Sequence, residues 1–405
     1  MAKLTAEALT REVDEEAVRT VYPLNFPVLP EIPGARYVDQ EFYELELEHV
    51  WKKTWLYAGH ESEISNPGDY MLFDKIGQSI LIIRQNSGEV AAFHNICRHR
   101  GASLVIEPTG NAKRLTCPYH AWTYNLSGEL KGVPNEFDFG CFDKATRNLI
   151  PVHIHNFRGI LFVNVSDTPQ PFEEFAPSVI EAFAGFPLDE FKVQGKLRVE
   201  APINWKALKD NFSESYHVPV VHAETVAKWL DPSAYHMRLL EHGHHIATNR
   251  KREASRFGET SAPTLEVIDP IFERHTLGIH MFPNGVTAVD PSGFGWITMW
   301  PVGRDRCVLE VTFLGYHDGS ADHDDYWKHH LTGVEHILGE DLCLMGAMQK
   351  SQDGGHFTGM LISFRERAIY WMHEEIDRMI GHNRIPQALH VAPVISEALE
   401  GRAQA

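Results

Sequence analysis

Four residues in one short stretch carry the strongest chemistry in this chain. Cys97 and His99 lie in Cys97-Arg98-His99, and Cys117 and His120 follow in Cys117-Pro118-Tyr119-His120. Each segment offers one thiolate and one imidazole. Two cysteines on one iron and two histidines on the other make the ligand set of a two-iron, two-sulfide cluster. The alternating order lets each segment reach both irons. Neutral imidazoles in place of two thiolates raise the reduction potential, which suits the centre to relaying electrons. Zinc takes the same four donors, but zinc fingers usually group both cysteines and then both histidines.

A second constellation begins at His217 and His222. On an unbroken helix, side chains five residues apart point about 140° away from each other. Pro219 lies between them, lacks an N–H and biases Val218 away from helix. The chain is therefore expected to bend and return His222 beside His217. The preceding helix is expected to start at about Trp205 with Asn204 as its N-cap. Glu214 and His217, three apart, would share a face. Two imidazoles and one carboxylate form the facial triad of mononuclear Fe(II), which leaves positions open for O2 and substrate. The carboxylate must come from elsewhere, and position alone leaves Glu335 and Glu340 in contention with Asp341. Iron is preferred because zinc is redox-silent and would leave the relay nothing to reduce. The other histidines, His242, His244 and His245 among them, read as solvated.

The segments Cys97-Arg-His99-Arg-Gly101-Ala-Ser and Cys117-Pro-Tyr-His120-Ala-Trp122-Thr-Tyr-Asn-Leu-Ser-Gly128 resemble a known family. It is the Rieske non-haem iron oxygenases, specifically the terminal-oxygenase α subunits that include the aromatic ring-hydroxylating dioxygenases. The family often has glycine where Ala121 stands. The resemblance implies a [2Fe-2S] cluster on Cys97, His99, Cys117 and His120, and Fe(II) on His217, His222 and Asp341. Glu214 matches the family's bridging carboxylate, often Asp, which would link His217 to His99 or His120 of a neighbouring subunit. Asn211 and Tyr216 match family positions near the iron. A ferredoxin or flavin reductase would bring electrons from NAD(P)H, and the assembly would be a homotrimer, with or without β subunits. The first expectation for activity is hydroxylation or dihydroxylation of an aromatic substrate. The second is oxidative N- or O-demethylation, including quaternary ammonium substrates, since a Glu at the bridge also resembles members acting on quaternary amines. A Rieske electron carrier without chemistry of its own comes third, and it would not need His217, His222 and Asp341.

The elements that must position these groups follow from pattern. Short strands such as Tyr70–Phe73, Ser79–Arg84, Val90–His94 and Ile160–Asn164, separated by Gly, Asn and Pro turns, predict a small β domain with two loops at one tip. Later strands at Thr276–Pro283, Gly285–Val289, Gly295–Pro301 and Arg306–Gly315, with helices over 326–350 and Arg365–Ile380, predict an α+β domain. Its order resembles the family's helix-grip (START-like) fold. The expected divisions are an N-terminal arm over 1–40, a Rieske domain over 41–165, a catalytic domain over 166–390 and a frayed tail over 391–405. Phe282, Phe294, Trp296, Trp300 and Phe313 suit either a pocket or a core, with core preferred.

Composition sets the outer limits. A net charge of −18 argues against nucleic-acid binding, because no basic excess is available to neutralise phosphates. Arg98, Arg100, Lys113, Arg114 and Lys131 near the cluster loops read as a solvated face or as a docking rim for an acidic electron donor. Five cysteines, two of them claimed by the cluster, leave an odd remainder and no disulfide framework, which fits a reducing cytoplasm. No apolar run is long enough to span a membrane.

Overall fold

The computed structural model describes residues 5–252, 274–289 and 292–403. The chain divides into two compact units, Lys52–Pro169 and a second that joins Met1–Trp51 to Gln170–Ala405.

The first unit is all β. Its seven-stranded antiparallel sheet runs in the order Leu56–His60, Ile160–Asn164, Pro151–Phe157, Val90–His94, Gln78–Arg84, Asp69–Lys75, Thr109–Asn111. The inner strand Gln78–Arg84 carries Ile80-Leu81-Ile82-Ile83, and all four are fully buried, so it reads as one apolar run instead of an alternation. A three-stranded sheet, Leu115–Thr116, Thr123–Tyr124 and Leu130–Gly132, accompanies it. Leu81, Ile83, Phe93, Trp122 and Tyr124 share one core with Cys97 and Cys117.

The second unit is α+β. Its seven-stranded antiparallel sheet has the order Lys192–Ala201, Arg306–Gly315, Gly293–Gly303, Gly285–Val289, His275–Met281, His245–Lys251, Leu230–Leu239. Three of these strands, Lys192–Ala201, Leu230–Leu239 and His245–Lys251, lie outside the expected set. Leu230–Leu239 hides its strand character behind Pro232 and a register shift between Asp231 and Tyr235. It stands at the sheet edge, where a proline costs no ladder bond. The helix Ala321–Ser351, about 46 Å long at 1.5 Å per residue, packs on strand Lys192–Ala201. The helix Arg367–Ile380 follows it.

Two expected boundaries change. Residues 41–51 belong to the catalytic unit and not to the Rieske domain. Glu46 pairs with Lys206 in a fully buried salt bridge, and Trp51 packs edge-on against Trp205 at 4.9 Å and also against Trp300. The arm is tied in the same way: Arg36 pairs with Asp377, and the Tyr37 hydroxyl donates to Asp210. The tail is a helix, Val394–Ala403, anchored by a fully buried Ile395 and by Glu374, which accepts from the N–H groups of Ile395 and Ser396. No helix of the described residues is long and apolar enough to cross a membrane.

Candidate metal centres

The two cluster loops are built alike. The Cys97 N–H donates to Ala102 O and the Gly101 N–H to Cys97 O; the Cys117 N–H donates to Trp122 O and the Ala121 N–H to Cys117 O. Gly101 and Ala121 hold the same place in the two loops, with φ of 80° and 59°. That left-handed region favours glycine, and a Cβ there costs on the order of 1 kcal/mol. The structure therefore explains why glycine is the usual residue where Ala121 stands.

The four expected ligands meet in two pairs, Cys97 with Cys117 and His99 with His120. The rings of His99 and His120 lie 4.6 Å apart, and Trp122 stacks on His99 at 4.9 Å. Cys97 and Cys117 are both buried. Burial foremost, with Cys117 adding to it, pushes the Cys97 thiol up against the pull of the His99 N–H and the Tyr124 hydroxyl. The buried Nδ1 of His99 has no hydrogen-bond partner. Paired buried thiols beside an unpartnered imidazole nitrogen fit a two-iron cluster and would burden an ordinary core. The Tyr124 hydroxyl accepts from the Arg98 N–H at 3.0 Å and lies 3.6 Å from Cys97 Sγ, which leaves its proton free to point at the sulfur. A hydrogen bond of that kind tunes the cluster's potential.

The second centre is assembled from three places. The helix Trp205–Phe212 starts at the expected N-cap, with Asn204 Oδ1 accepting from the Lys206 N–H at 3.0 Å. It ends at Ser213, so the break precedes Glu214 and Pro219 does not cause it. Pro219 sits in the first turn of a new one-turn helix, Val218–Val221, flanked by His217 and His222. Proline is well suited there, because the first turn has no use for its missing N–H. The five-residue spacing is thus met by one short turn that returns the second imidazole, and Glu214 lies in the connecting loop and not on a shared helix face.

Ligand atoms of His217, His222 and Asp341 lie within 4.8 Å of one another. Asp341 Oδ1 is 3.1 Å from His222 Nε2 and 3.7 Å from His217 Nε2. The same buried oxygen has no hydrogen bond of good geometry. Two imidazole nitrogens and a carboxylate oxygen facing one point fit a facial triad. Behind them, each Nδ1 meets a glutamate. Glu214 bonds the Nδ1 of His217, and Glu340 lies 2.7 Å from the Nδ1 of His222 while accepting from the Thr225 hydroxyl at 2.6 Å. Such partners fix the tautomer and the ring plane of a metal ligand. Burial works to lower the His222 pKa, but Asp341 and Glu340 outweigh it and hold the group up.

Asp341 is thus the carboxylate that faces the Nε2 atoms of both histidines, and Glu340 stands behind His222 at its Nδ1. The hint in the sequence was its position beside Asp341, but which of the two faces the histidines depends on how the long helix is rotated. Of the other expected site residues, Asn211 is half-buried on the last turn of its helix and Tyr216 is 69% exposed. The backbone N–H of Tyr216 reaches the site, donating to Glu214. The core reading of the aromatics holds: Phe282, Phe294, Trp296, Trp300 and Phe313 are all buried, and Trp296 stacks on Phe183. The reading of His244 and His245 as solvated does not hold, since both are buried. His244 is fixed by its Nε2 to Phe175 O and by the Phe282 N–H to its Nδ1.

Residues 54–143 match the model of the Rieske [2Fe-2S] domain, and residues 188–382 match that of the ring hydroxylating alpha subunit catalytic domain. The chain belongs to the Rieske oxygenase alpha subunits. It is 35% identical over 211 residues to the carnitine monooxygenase oxygenase subunit of Escherichia coli (strain K12), covering 50% of this chain and 56% of that protein. It is 31% identical over 203 residues to the glycine betaine monooxygenase oxygenase subunit of Pseudomonas aeruginosa (strain UCBPP-PA14), covering 49% and 47%. The chlorobenzene dioxygenase alpha subunit of Cupriavidus sp. (strain PS12) is 33% identical over 195 residues, covering 45% and 42%. The chain thus spans about half the length of the curated relatives it matches. A solved quaternary ammonium Rieske monooxygenase in complex with an inhibitor superposes with a TM-score of 0.76 over 89% of this chain and 99% of that one. At 23% identity, that likeness speaks for the fold.

Proposed function

We propose that this Rieske oxygenase alpha subunit is the oxygenase component of a monooxygenase acting on a quaternary ammonium compound. The observation that carries an oxygenase over an electron carrier is the convergence of His217, His222 and Asp341, each histidine backed by its own glutamate. A carrier has no use for that second centre. The substrate reading rests on the likeness to carnitine and glycine betaine monooxygenases and reverses the order expected from sequence. Aromatic ring oxidation becomes the second reading, favoured by the match to the chlorobenzene dioxygenase alpha subunit.

Cys97, His99, Cys117 and His120 would hold the cluster, and His217, His222 and Asp341 the mononuclear iron. Iron held by those three residues would supply O2 activation. In the overall reaction one oxygen atom enters a C–H bond next to nitrogen and the other leaves as water, which consumes two electrons and two protons. Glu214 and Glu340 hold the Nδ1 protons, so both Nε2 lone pairs stay aimed at one point through turnover. Buried Tyr124 and Trp122 shield the Cys97 and His99 side of the cluster.

Electrons would arrive from NAD(P)H through a separate ferredoxin or flavin reductase. Exposed Arg100, Lys113 and Arg114 near the cluster loops suit the approach of an acidic donor. A homotrimer, with or without β subunits, would let Glu214 couple His217 to a cluster histidine of a neighbouring subunit. None of the five cysteines is in a disulfide, which fits a reducing cytoplasm. The deciding experiment is NADH-linked O2 uptake by the iron- and sulfide-loaded protein with a flavin reductase. Trimethylammonium compounds should stimulate uptake and yield an aldehyde and an amine in equal amounts. Uptake stimulated by arenes alone, with diol or phenol products, would overturn the substrate reading.

A further inference from the structure

The two segments that bring the proposed iron ligands together are joined by one hydrogen bond. Asn204 opens the helix Trp205–Phe212, which leads to His217 and His222. Gln349 lies on the helix Ala321–Ser351, eight residues beyond Asp341. Its Oε1 accepts from the Asn204 N–H at 2.7 Å, and both residues are buried. That bond is one side of a closed ring. Gln349 Nε2 donates to Asp353 Oδ1 at 3.3 Å, and Arg304 Nη1 donates to the same oxygen at 2.9 Å. Asn204 Nδ2 donates to Arg304 O at 2.7 Å and completes the circuit. Arg304 sits in the turn between the strands Gly293–Gly303 and Arg306–Gly315, so the ring ties both helices to the sheet. A backbone N–H can only donate and a carboxylate accepts, so the Gln349 amide is oriented from both ends.

The rotation of the long helix decides which carboxylate the histidines meet, and apolar packing does not set it. In the second half of that helix the buried residues are Leu338, Asp341, Met345 and Gln349, whose spacing of three, four and four puts them on one face. Successive residues point about 100° apart around a helix. A turn of that size would present Ile337, Glu340, Leu344 and Met348 instead. Each position finds a counterpart of like chemistry except the last, where Met replaces Gln. Leu344 and Met348 are in fact left 44% and 42% exposed, so burial of apolar surface gives no preference for the observed face. The hydrogen bond of Gln349 does, because it weakens steeply when its donor and acceptor move out of line. The two segments also approach closely beside it: a Cβ at Gly346 would lie 3.3 Å from Pro202 Cγ.

We propose that Gln349 is a positioning residue of the iron site: by accepting from the Asn204 N–H it fixes the rotation of the long helix and so selects Asp341 over Glu340 to face His217 and His222. This rests on the reading of those three residues as the iron ligands and is independent of the substrate.

The test is Fe(II) binding by the cluster-loaded protein, measured anaerobically by competition with a chelator, together with the visible absorption of Co(II) bound in place of Fe(II). Gln349→Met keeps the length of the side chain and removes both hydrogen-bonding ends. It should weaken Fe(II) binding by about tenfold, the lower end of what outer partners of metal ligands cost, and shift the Co(II) bands. Asp353→Ala releases the far end of the amide from an exposed position. It should act in the same direction with a smaller effect, and it decides the matter if Gln349→Met does not fold. Ser320→Ala is the control. Ser320 Oγ accepts from the His323 N–H at 3.3 Å and caps the same helix at its other end, so its loss weakens the helix without turning it. That variant should melt earlier yet bind Fe(II) as the unsubstituted protein does. Loss of Fe(II) binding in Ser320→Ala as large as in the ring variants reduces the effect to helix stability and overturns the proposal. So do unchanged affinity and unchanged Co(II) bands in every folded ring variant. Fe(II) binding that survives Asp341→Ala, or none in the unsubstituted protein, overturns instead the reading of the three ligands.

Discussion

The two metal centres solve the same problem, holding iron with histidine, in opposite ways. In the β unit all four expected ligands fall between Cys97 and His120, on two loops with the same backbone hydrogen bonds and the same left-handed position. In the catalytic unit two of the proposed ligands flank one short helical turn, and the third arrives on a helix more than a hundred residues later. A site made by local loops depends on turn geometry, whereas a site made across elements depends on how a sheet and two helices pack. The outer partners differ in the same sense: Tyr124 reaches Cys97 within one small domain, but Glu340 reaches His222 across the catalytic fold.

That contrast can be broken most severely at the ligands. Asp341→Ala should abolish O2-coupled turnover and lose mononuclear iron while the cluster absorbance stays, and Cys117→Ser should do the reverse to the chromophore. Iron and sulfide analysis of both variants checks this, and loss of both centres in either variant would show that the sites do not fold independently. Next in size is Glu340→Gln, expected to weaken iron binding by about 10–100-fold through a loosened His222, as outer partners of metal ligands do. Competition with a chelator measures it. Unchanged affinity would mean that His222 is positioned by its helical turn alone.

The loops allow a smaller test. Gly101→Ala should destabilise the β unit by about 1 kcal/mol, and Ala121→Gly should stabilise it by a similar amount, because both positions are left-handed. Thermal melts followed by cluster absorbance distinguish this from a case in which only one loop is strained. The last test is one of pH, whose effect accumulates between about pH 4 and 7. Burial raises Asp210 to about 7, so the folded protein binds a proton that the unfolded chain has lost above about 4. Stability from this group is therefore present at low pH and lost as pH rises through 7. Asp210→Asn should flatten that decline by up to about 1.4 kcal/mol per pH unit. Denaturant melts across that window report it.

Local chemistry is legible in the sequence, and chemistry assembled across distant elements is not. The Asn204 cap and the strands Gly285–Val289 and Arg306–Gly315 follow from neighbours in the chain. Proline breaks a helix interior but opens a helix start, and the end of the preceding helix at Ser213 shows that Pro219 does the second. His245 and His280 look like ordinary polar strand residues until register sets them side by side under Lys209. The division at residue 40 failed because Glu46 and Trp51 find Lys206 and Trp205, partners no local pattern reveals.

By itself, then, the sequence determined which donor atoms this protein owns and the two loops that gather four of them, since both follow from residue type and short-range backbone geometry. Tertiary structure alone decided which carboxylate meets the histidine pair, which glutamate stands behind each ring, and where buried Lys209 points. Those outcomes depend on helix rotation and strand register, and packing over the whole unit sets both.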